Sequence, residues 1–549
     1  MTTTGALRRP RPQGPALTGW LRPRSLRRRR SRPVLAVSVV ALSAAVVIPL
    51  AVVLVSVLSP TGQVWSHLWA TRLPEMLAST VVLVVLVSLG SLVLGTGLAW
   101  LVSAYRFPGV RVLSWILVTP LAVPGYVMGF VWLDSLDGLG RAVQSIWICA
   151  GVLVLSLYPY VYLLARSSFG ERSGAAADAA RNLGCSPWRS FGRVALPLAR
   201  PSIAAGVALV AMETLTDIGT VRLFDVSTVS DGIFRVWYGL GDRQAATELA
   251  ALLVLVALVL VVAERRGRGD VRYTPVGAGH RRAEPIQLRG RRAAAAVGAC
   301  LAVIGLAVGV PVVRLGAWAI EAVRSGRAAS QSGGLGTHLG NTAVIALLAT
   351  AACLAVGLLL ALAVRWDRRR LIAMSARAAT MGYAVPGPVV GIGVLVTLAA
   401  LDRSGIIPSG VVLVGSLAGL VYALTVRFLA VGYQSSEAAL SKIGPSMTAS
   451  ARTLGSRPAQ VARRIELPIA RSGLVVAAAL VAVDVVKELP ATLLLRPFGF
   501  DTLPVWVWQA TSESRWVEAA IPALTIVAVA SIGVAALLAV TDRRRPSPR

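Results

Sequence analysis

Two groups of ionisable residues lie inside long apolar stretches of the 549-residue sequence. Glu213 and Asp217 are four residues apart in one stretch, and Asp484, Lys487 and Glu488 lie at the corresponding depth of another. Side chains four residues apart share one face of a helix, so the two acids of each stretch point the same way. An ionisable residue inside a bilayer costs roughly 2.5–3.5 kcal/mol on insertion scales, and it normally faces a cavity or a charged partner.

These residue types leave two interpretations open. Acids from two helices can line a pathway suited to a cation, and Gly219 and Pro490, just after the acids, predict that both helices break there, which favours a cavity. Alternatively, the charges form an ion-pair network that holds two parts of the chain together. The cations available for such a network are Lys487, three residues after Asp484, and Arg222 or Arg235.

A second pattern occurs twice, each time in an Arg-rich polar segment between apolar stretches. Its first copy is Asp178-Ala179-Ala180, Gly184 and Leu196-Pro197, and its second is Ala449-Ser450-Ala451, Gly455 and Leu467-Pro468. The glycines (184 and 455) and the prolines (197 and 468) are both 271 positions apart. Each copy predicts a helix ending at its glycine, a turn, and a second helix on the membrane surface, after which Leu-Pro turns the chain into the next span. Such an element has no catalytic group, but it can dock in a groove on a soluble partner.

This pattern resembles the EAA loop of the membrane subunits of bacterial ABC importers. In that family the loop is the coupling helix that fits a cleft in the ATPase subunit. The first copy keeps an acid at Asp178, whereas the second has Ala449, so the resemblance implies two ATPase contacts that are not equivalent. A literal Glu437-Ala438-Ala439 has no Leu-Pro in register and is not counted as a copy.

The chain has no ATPase of its own, because a phosphate-binding P-loop ends in Gly-Lys and the only lysines, Lys442 and Lys487, follow Ser441 and Val486. We therefore expect no catalytic residues, metal site or cofactor in this chain, and ATP to be used by a partner subunit. The four cysteines, Cys149, Cys185, Cys300 and Cys353, have no disulfide or metal-ligand spacing, and the histidines are scattered.

The composition places these features in a bilayer. Hydrophobic residues make up 56% of the chain, charged residues only 15%, and the mean hydropathy is +0.71. Twelve apolar stretches are long enough to cross a membrane. They lie at about 34–58, 77–103, 112–133, 145–165, 202–222, 247–263, 294–318, 340–364, 371–400, 410–430, 473–495 and 518–541.

The net charge of +30 follows membrane topology and does not point to nucleic acid. Residues 1–33 hold many arginines and no acid, every second loop is also basic, and the intervening loops mix signs. This positive-inside pattern places both termini in the cytoplasm. The first apolar stretch, about 25 residues long, exceeds a signal-peptide core and is interpreted as a retained helix.

Further matches show that the chain contains two related halves. Ala122-Val123-Pro124-Gly125 recurs as Ala384-Val385-Pro386-Gly387, and Thr80 and Gly95 match Thr342 and Gly357, all at an offset of 262. The later offset of 271 requires a nine-residue insertion between the third and fifth spans of the second half. The expected fold is an all-α polytopic membrane protein of about twelve transmembrane helices, arranged as two parallel six-helix repeats. The predicted segments are a basic tail (1–33), the first half (34–264), a cytoplasmic linker (265–293), the second half (294–541) and a basic tail (542–549).

Residues 212–221, 487–497 and 498–503 are similar to those of fused, two-half ferric-iron ABC permeases. The resemblance implies a multi-pass protein of a bacterial plasma membrane that works with two ATPase subunits and an extracytoplasmic binding protein, with ferric iron as cargo. Alternatives are a permease for thiamine, phosphonate or polyamine, and an ion-coupled secondary transporter that uses the intramembrane acids as proton sites.

Overall fold

The computed structural model describes residues 33–56, 58, 62–137, 144–171, 186–268, 285–367, 369–408 and 410–542. Almost all of these residues are helical. Ten helices are long and apolar enough to cross a membrane, and two bent helix pairs raise that number to twelve in the described part of the chain. The structure is therefore the all-α polytopic architecture that the sequence predicts.

In its described residues, the first half contains eleven helices and three 3₁₀ or π-helical turns. They are α1 (Pro33–Ser56), α2 (Gly62–Thr71), α3 (Leu73–Ala104), α4 (Val110–Ile116) with a 3₁₀ turn (Thr119–Ala122), α5 (Gly125–Ser135), α6 (Ile146–Glu171), α7 (Pro187–Ser190) with a π-helical turn (Phe191–Ala195), α8 (Leu196–Thr216), α9 (Gly219–Leu223), α10 (Val229–Phe234) with a π-helical turn (Arg235–Leu240), and α11 (Arg243–Arg268).

The described part of the second half follows the same order and contains twelve helices. They are α12 (Gly290–Ile304) with a π-helical turn (Gly305–Gly309), α13 (Val310–Arg324), α14 (Arg327–Trp366), α15 (Arg370–Ala379) with a 3₁₀ turn (Thr380–Ala384), α16 (Gly387–Arg403), α17 (Leu417–Ser441), α18 (Pro445–Thr453), α19 (Pro458–Val461) with a π-helical turn (Ala462–Glu466), α20 (Leu467–Val486), α21 (Pro490–Leu495), α22 (Leu503–Ser512) and α23 (Trp516–Asp542). A pair of two-residue parallel strands, β1 (Tyr105–Arg106) and β2 (Ile286–Gln287), ties the start of the second half to the first.

Two of the predicted spans, 112–133 and 371–400, are bent and not straight. The bend is 93° between α4 and α5 and 111° between α15 and α16, and each falls at the Ala-Val-Pro-Gly repeat. Proline lacks a backbone N–H and disfavours helix in the residue before it, which explains the position of the break. Helix α6 satisfies carbonyls near the first bend: the Tyr158 hydroxyl donates to Leu117 O at 2.9 Å and the Tyr162 hydroxyl to Ser114 O at 2.8 Å.

The predicted breaks after the intramembrane acids are confirmed. Helix α8 ends at Thr216 and α20 at Val486, so the predicted spans 202–222 and 473–495 stop short of their expected ends. The predicted turn at Leu-Pro is wrong. The helix runs from α7 through a π-helical turn into α8 and from α19 through another into α20. Directly before each proline the backbone N–H bonds the carbonyl five residues back, Leu196 N–H to Phe191 O and Leu467 N–H to Ala462 O, and the helix continues past a residue that has no N–H.

The repeat residues found in the sequence join helices within each half. Gly95 of α3 and Gly357 of α14 are points of close approach, to Tyr158 O and Val161 of α6 and to the backbone of Gly432 and Tyr433 of α17 respectively. The Thr80 and Thr342 hydroxyls each accept a backbone N–H, from Val229 at 3.0 Å and from Leu503 at 2.9 Å.

The nine-residue insertion lies in α16 and the loop after it. Helix α16 has 17 residues against 11 in α5, a difference of six. The next helix of each half, α17 or α6, is capped by an equivalent serine, Ser416 or Ser145, and these two serines are 271 positions apart. The segment from the end of α16 to Ser416 is three residues longer than the segment from the end of α5 to Ser145.

The first span of each half, α1 in the first and α12–α13 in the second, packs against the other half. Helix α1 contacts α15, α16 and α11, while α13 contacts α5 and α23. Pro49 within α1 leaves the Ala45 carbonyl without its helical donor, and the Tyr422 hydroxyl of the second half donates to that carbonyl. The exchange therefore interlocks the halves. The domain boundaries stay predictions: α11 runs to Arg268 and α12 begins at Gly290, and residues 269–284 lie outside the described part.

Replacing Gly95 by valine should destabilise the protein. The added Cβ would lie 2.8 Å from Val161 Cβ and 2.9 Å from Tyr158 O, so α3 and α6 would have to separate. Overpacking of this kind costs about 1–3 kcal/mol, which we expect to lower the midpoint of thermal unfolding in detergent by about 1–3 °C in a chain of this length.

Gly97→Val is the matched control, because it lies two residues away on the same helix with no atom within 4 Å of an added Cβ. Equal destabilisation by the two substitutions would show that helix propensity, and not the α3–α6 contact, sets the cost.

Candidate functional site

The five ionisable residues singled out from the sequence line one cavity of about 110 Å³ between the halves. The first half contributes Glu213 and Asp217, from the end of α8, and the second contributes Asp484, Lys487 and Glu488, from the end of α20. The cavity therefore lies where both of these helices break.

Asp217 and Glu488 perform the same local task in the two halves. Asp217 Oδ1 accepts the backbone N–H of Thr220 at 2.8 Å and of Val221 at 3.2 Å, and its Oδ2 accepts the Thr220 hydroxyl at 2.9 Å. Glu488 accepts the N–H of Ala491 at 3.0 Å and of Thr492 at 3.1 Å, together with the Thr492 hydroxyl at 2.8 Å. Each carboxylate thus satisfies the free N–H groups at the start of a short helix that would otherwise be unpaired in the membrane.

The remaining charges differ between the halves. Lys487 Nζ lies 3.0 Å from Asp484 Oδ1, as the sequence predicts. Among the described residues, no hydrogen bond or ion pair reaches the Glu213 carboxylate, which lines the cavity within electrostatic reach of Arg427 and Lys487.

The suggested pairing of the acids with Arg222 or Arg235 is wrong. The Arg222 guanidinium lies over the Trp508 ring at 5.5 Å, and Arg235 pairs with Asp231 and, at 3.6 Å, with Asp225. Both arginines follow the helix break in the chain, and each binds a partner other than the cavity acids.

Sequence reasoning missed Arg427 of α17. Its side chain lines the cavity and is only 8% exposed, its Nη1 has no hydrogen-bond partner in the described structure, and a Cβ at Gly387 would collide with that nitrogen. The equivalent residue of α6, 271 positions earlier, is Ser156, which also lines the cavity. The signal was present in the sequence, because Arg427 is an arginine inside the predicted span 410–430.

The cavity as a whole holds four carboxylates and two cations. The first-half wall contributes two acids and the hydroxyl groups of Ser156, Tyr160 and Thr216, while in the second half Asp484 and Glu488 face Lys487 and Arg427. The acids therefore outnumber the bases, and the excess lies on the first-half wall.

The two copies of the repeated pattern, residues 178–197 and 449–468, are called the first and second coupling loops after the family that they resemble, and the second has the predicted helix-turn-helix form. Helix α18 contains Ala449 and Ala451 and ends before Gly455, which has a left-handed φ of +86°. The N–H of Ser456 donates to Ala451 O and that of Gly455 to Arg452 O, both at 3.1 Å, which is a Schellman ending. Leu454, beside the glycine, is 86% exposed and forms an apolar tip on the loop.

In the first coupling loop Asp178, Ala179, Ala180 and Gly184 lie outside the described residues. The described part begins at Ser186, whose hydroxyl accepts the Arg189 N–H at 3.4 Å and so caps the helix as predicted. Leu196-Pro197, like Leu467-Pro468, lies in the helix that continues to the cavity.

A buried ion pair anchors the second coupling loop. Arg365, at the end of α14, binds Glu466 at 3.0 Å, the carbonyls of Leu440 and Ile443 at 3.0 and 2.8 Å, and the Thr448 hydroxyl of α18 at 3.2 Å. Glu466 is fully buried, directly precedes Leu467, and also accepts the Trp366 indole N–H at 3.2 Å.

The first half has no such ion pair, since Ser103 and Ala195 stand at the positions equivalent to Arg365 and Glu466. Three aromatic rings, Trp100, Phe169 and Phe191, pack together there, with centroid distances of 4.9–6.2 Å. The two loops are therefore anchored by different chemistry.

Comparison with known proteins gives a consistent result. Residues 95–264 match the family described as the binding-protein-dependent transport system inner membrane component. The chain is 27% identical over 468 residues to the Fe(3+)-transport system permease protein FbpB 2 of Haemophilus influenzae, covering 85% of this chain and 90% of that protein. It is also 26% identical to the sulfate transport system permease protein CysT of Escherichia coli K12, and this match covers 36% of this chain and 78% of that protein. The molybdenum transport system permease protein ModB of the same strain is 26% identical, and the match covers 32% of this chain and 84% of ModB.

The relative from Haemophilus aligns along both halves, whereas the sulfate and molybdenum permeases align with about a third of the chain. Together with the twelve-span architecture, this agrees with the resemblance given by the coupling-loop pattern. Residues 95–264 thus match the membrane component of binding-protein-dependent transport systems, and the chain along both halves is similar to an ABC importer permease with two halves in one polypeptide.

Proposed function

We propose that this permease imports ferric iron, delivered by an extracytoplasmic binding protein and driven by two separate ATPase subunits that bind the two coupling loops. The observation that carries the cargo assignment is the similarity along 85% of the chain to a protein named as an Fe(3+) permease. In this arrangement both termini face the cytoplasm, as the distribution of arginines indicates, and the chain holds no cofactor of its own.

The cavity chemistry supports a cationic cargo. Hard cations bind carboxylate oxygens, and four carboxylates line the cavity. Asp217 and Glu488 retain free lone pairs after capping their helices, since each carboxylate oxygen can accept more than one bond. Glu213, which has no partner among the described residues, is the carboxylate most available to a passing cation.

The second candidate cargo is an oxyanion. Arg427 and Lys487 line the same cavity, and sulfate and molybdenum permeases are among the relatives. Lys487 is already paired with Asp484, however, which leaves Arg427 as the cation that could bind an oxyanion. The excess of acids therefore favours the cation.

The coupling route runs from the loop to the cavity through α20. Arg365 links α18 to α14, to the end of α17 and to Glu466, so a push on α18 acts on several helices together. Helix α20 begins at Leu467 and reaches Asp484 about 25 Å later at 1.5 Å per residue. ATP-driven closure of the ATPases would thus move the second-half wall of the cavity and change access to it.

Removing the Glu213 charge should reduce ferric-iron uptake. In cells that lack the wild-type chain, we expect Glu213→Gln to restore ⁵⁵Fe(III) uptake roughly tenfold less well than the wild type, because loss of about 1.4 kcal/mol of charge stabilisation is a tenfold effect. Glu437→Gln, at an exposed position near the end of α17, is the control and should restore uptake fully.

The same cells also test the cargo. Uptake of labelled molybdate and sulfate should be independent of the chain. The iron proposal is refuted if oxyanion uptake requires the chain while iron uptake is the same with and without it. Iron uptake that survives ATP depletion would refute the ATP-driven mechanism.

An acid at the apolar tip of the second loop should weaken ATPase binding. Leu454 is 86% exposed, and burial of such a side chain in a partner groove is typical of an interface hot spot. We expect Leu454→Asp to weaken association with the ATPase subunit about 30-fold, since a hot spot contributes about 2 kcal/mol, when measured by pull-down titration of the purified proteins.

Ile406→Asp provides the matched control. Ile406 is 78% exposed in the loop after α16, at the membrane face opposite the coupling loops. If both substitutions weaken binding to the same extent, or neither does, the second loop is not an ATPase contact.

Breaking the buried ion pair should destabilise the second coupling loop. Glu466→Ala leaves the Arg365 charge without its carboxylate, at a cost of about 3–5 kcal/mol, whereas Glu466→Gln keeps a hydrogen-bond acceptor and should cost less. Thermal unfolding of the purified chain measures the loss.

The control is Glu513→Ala, because its exposed carboxylate pairs with Arg515 outside the loop. A loss for Glu466→Ala no larger than that for the control would mean that Arg365 is stabilised by its carbonyl partners alone.

A further inference from the structure

A half-open cleft of about 800 Å³ lies at the corner where α1 and α11 of the first half meet α16 of the second. Its lining comes from the last turns of α1 and α16 and the first turns of α11. Consecutive spans alternate in direction, so these ends share the membrane face opposite the coupling loops. Deeper in the membrane the corner is closed, because Pro49 O and Val53 approach Gly393 closely.

The repeat shows that this cleft is specific to one corner. At the related corner, where α13 and α23 meet α5, the space is filled by Phe130 stacked on Trp318 at 5.9 Å and on Trp516 at 5.8 Å. An ion pair of 2.6 Å between Arg314 and Asp134 closes its edge. The open corner is built by the insertion, since the residues that lengthen α16 relative to α5 include the cleft residues Ala399, Asp402 and Arg403.

The charges in the cleft favour an anion. Arg243 and Arg403 both line it, and neither pairs with an acidic side chain within the described residues. The Arg243 guanidinium lies over the Trp237 ring at 5.7 Å, and Arg403 Nε donates to Ala399 O of its own helix. The one acid of the cleft, Asp402, is committed to the backbone N–H groups of Leu413 and Val414 at 2.9–3.2 Å.

The walls below the arginines are apolar and include Val52, Leu395 and Val396. The arginines and Trp237 lie at the ends of membrane spans, where charged and aromatic side chains meet lipid head groups. A free anion would use the arginines but not the apolar walls, whereas a phospholipid uses both. A basic pocket between transmembrane helices is a known form of lipid head-group site.

We propose that this corner cleft binds one anionic phospholipid, with its phosphate between Arg243 and Arg403 and an acyl chain along the apolar wall. Because the two arginines come from different halves, the lipid bridges α11 and α16 and replaces the aromatic stack and ion pair of the related corner.

Native mass spectrometry of the purified chain tests this with phosphatidylglycerol and with phosphatidylcholine of the same acyl chains. We expect the wild type to retain one phosphatidylglycerol in preference to phosphatidylcholine. The double variant Arg243→Gln/Arg403→Gln should bind phosphatidylglycerol about 25-fold more weakly, since each arginine near a membrane surface contributes about a factor of five. Ala399→Trp, which fills the cleft, should abolish retention without removing a charge.

Arg314→Gln is the matched control, because Arg314 is already paired at the related corner, and it should leave lipid retention unchanged. Equal retention of the two lipids, or no effect of the double variant and of Ala399→Trp, would overturn the proposal. The proposal would also be overturned if soluble glycerol phosphate displaced the retained phosphatidylglycerol as effectively as added phosphatidylglycerol does. Weaker binding of the extracytoplasmic binding protein with unchanged lipid retention would instead assign the arginines to a protein contact. None of these readouts depends on the cargo or on the ATPase.

Discussion

A bilayer offers no water to a broken helix, so each backbone group freed by a break must find its partner within the protein. This chain breaks four of its spans: two at the Ala-Val-Pro-Gly bends and two after the cavity acids. Asp217 and Glu488 receive the free N–H groups of the next helices, and Tyr158 and Tyr162 donate to carbonyls near the first bend. Asp217 and Glu488 satisfy their breaks from inside the cavity, so these two charges have a structural role in the fold.

The two halves share this scaffold but differ at the repeated loops and at the outer corners. One coupling loop is anchored by the buried Arg365–Glu466 pair and the other by three aromatic rings. One outer corner is filled by stacked rings, and the other, enlarged by an insertion in α16, remains open. Fusion of the halves permits such divergence, because each position can change without changing its equivalent, whereas identical subunits must keep both contacts the same.

The exchange of first helices explains how the halves stay together around a polar cavity. Helix α1 packs on α15 and α16, and α13 on α5, so each half closes the outside of the other's bent span. The close contacts are made by backbone, as at Pro49 and Gly393, and by the Tyr422 hydroxyl on the carbonyl that Pro49 leaves free. Small residues and satisfied carbonyls are the means by which helices associate in lipid, where apolar burial gives little driving force.

The sequence alone determined the number of spans, the duplication, the coupling-loop pattern and the depth of the acids, because hydropathy and charge spacing are local properties that the bilayer enforces on every segment. It also predicted the pairing of Lys487 with Asp484, since residues three apart on one helix must be neighbours. Only the tertiary structure decided that Arg222 lies against Trp508 and that Arg427 enters the cavity. Those outcomes depend on contacts between residues from well-separated parts of the chain, and no local pattern specifies which helix faces will meet.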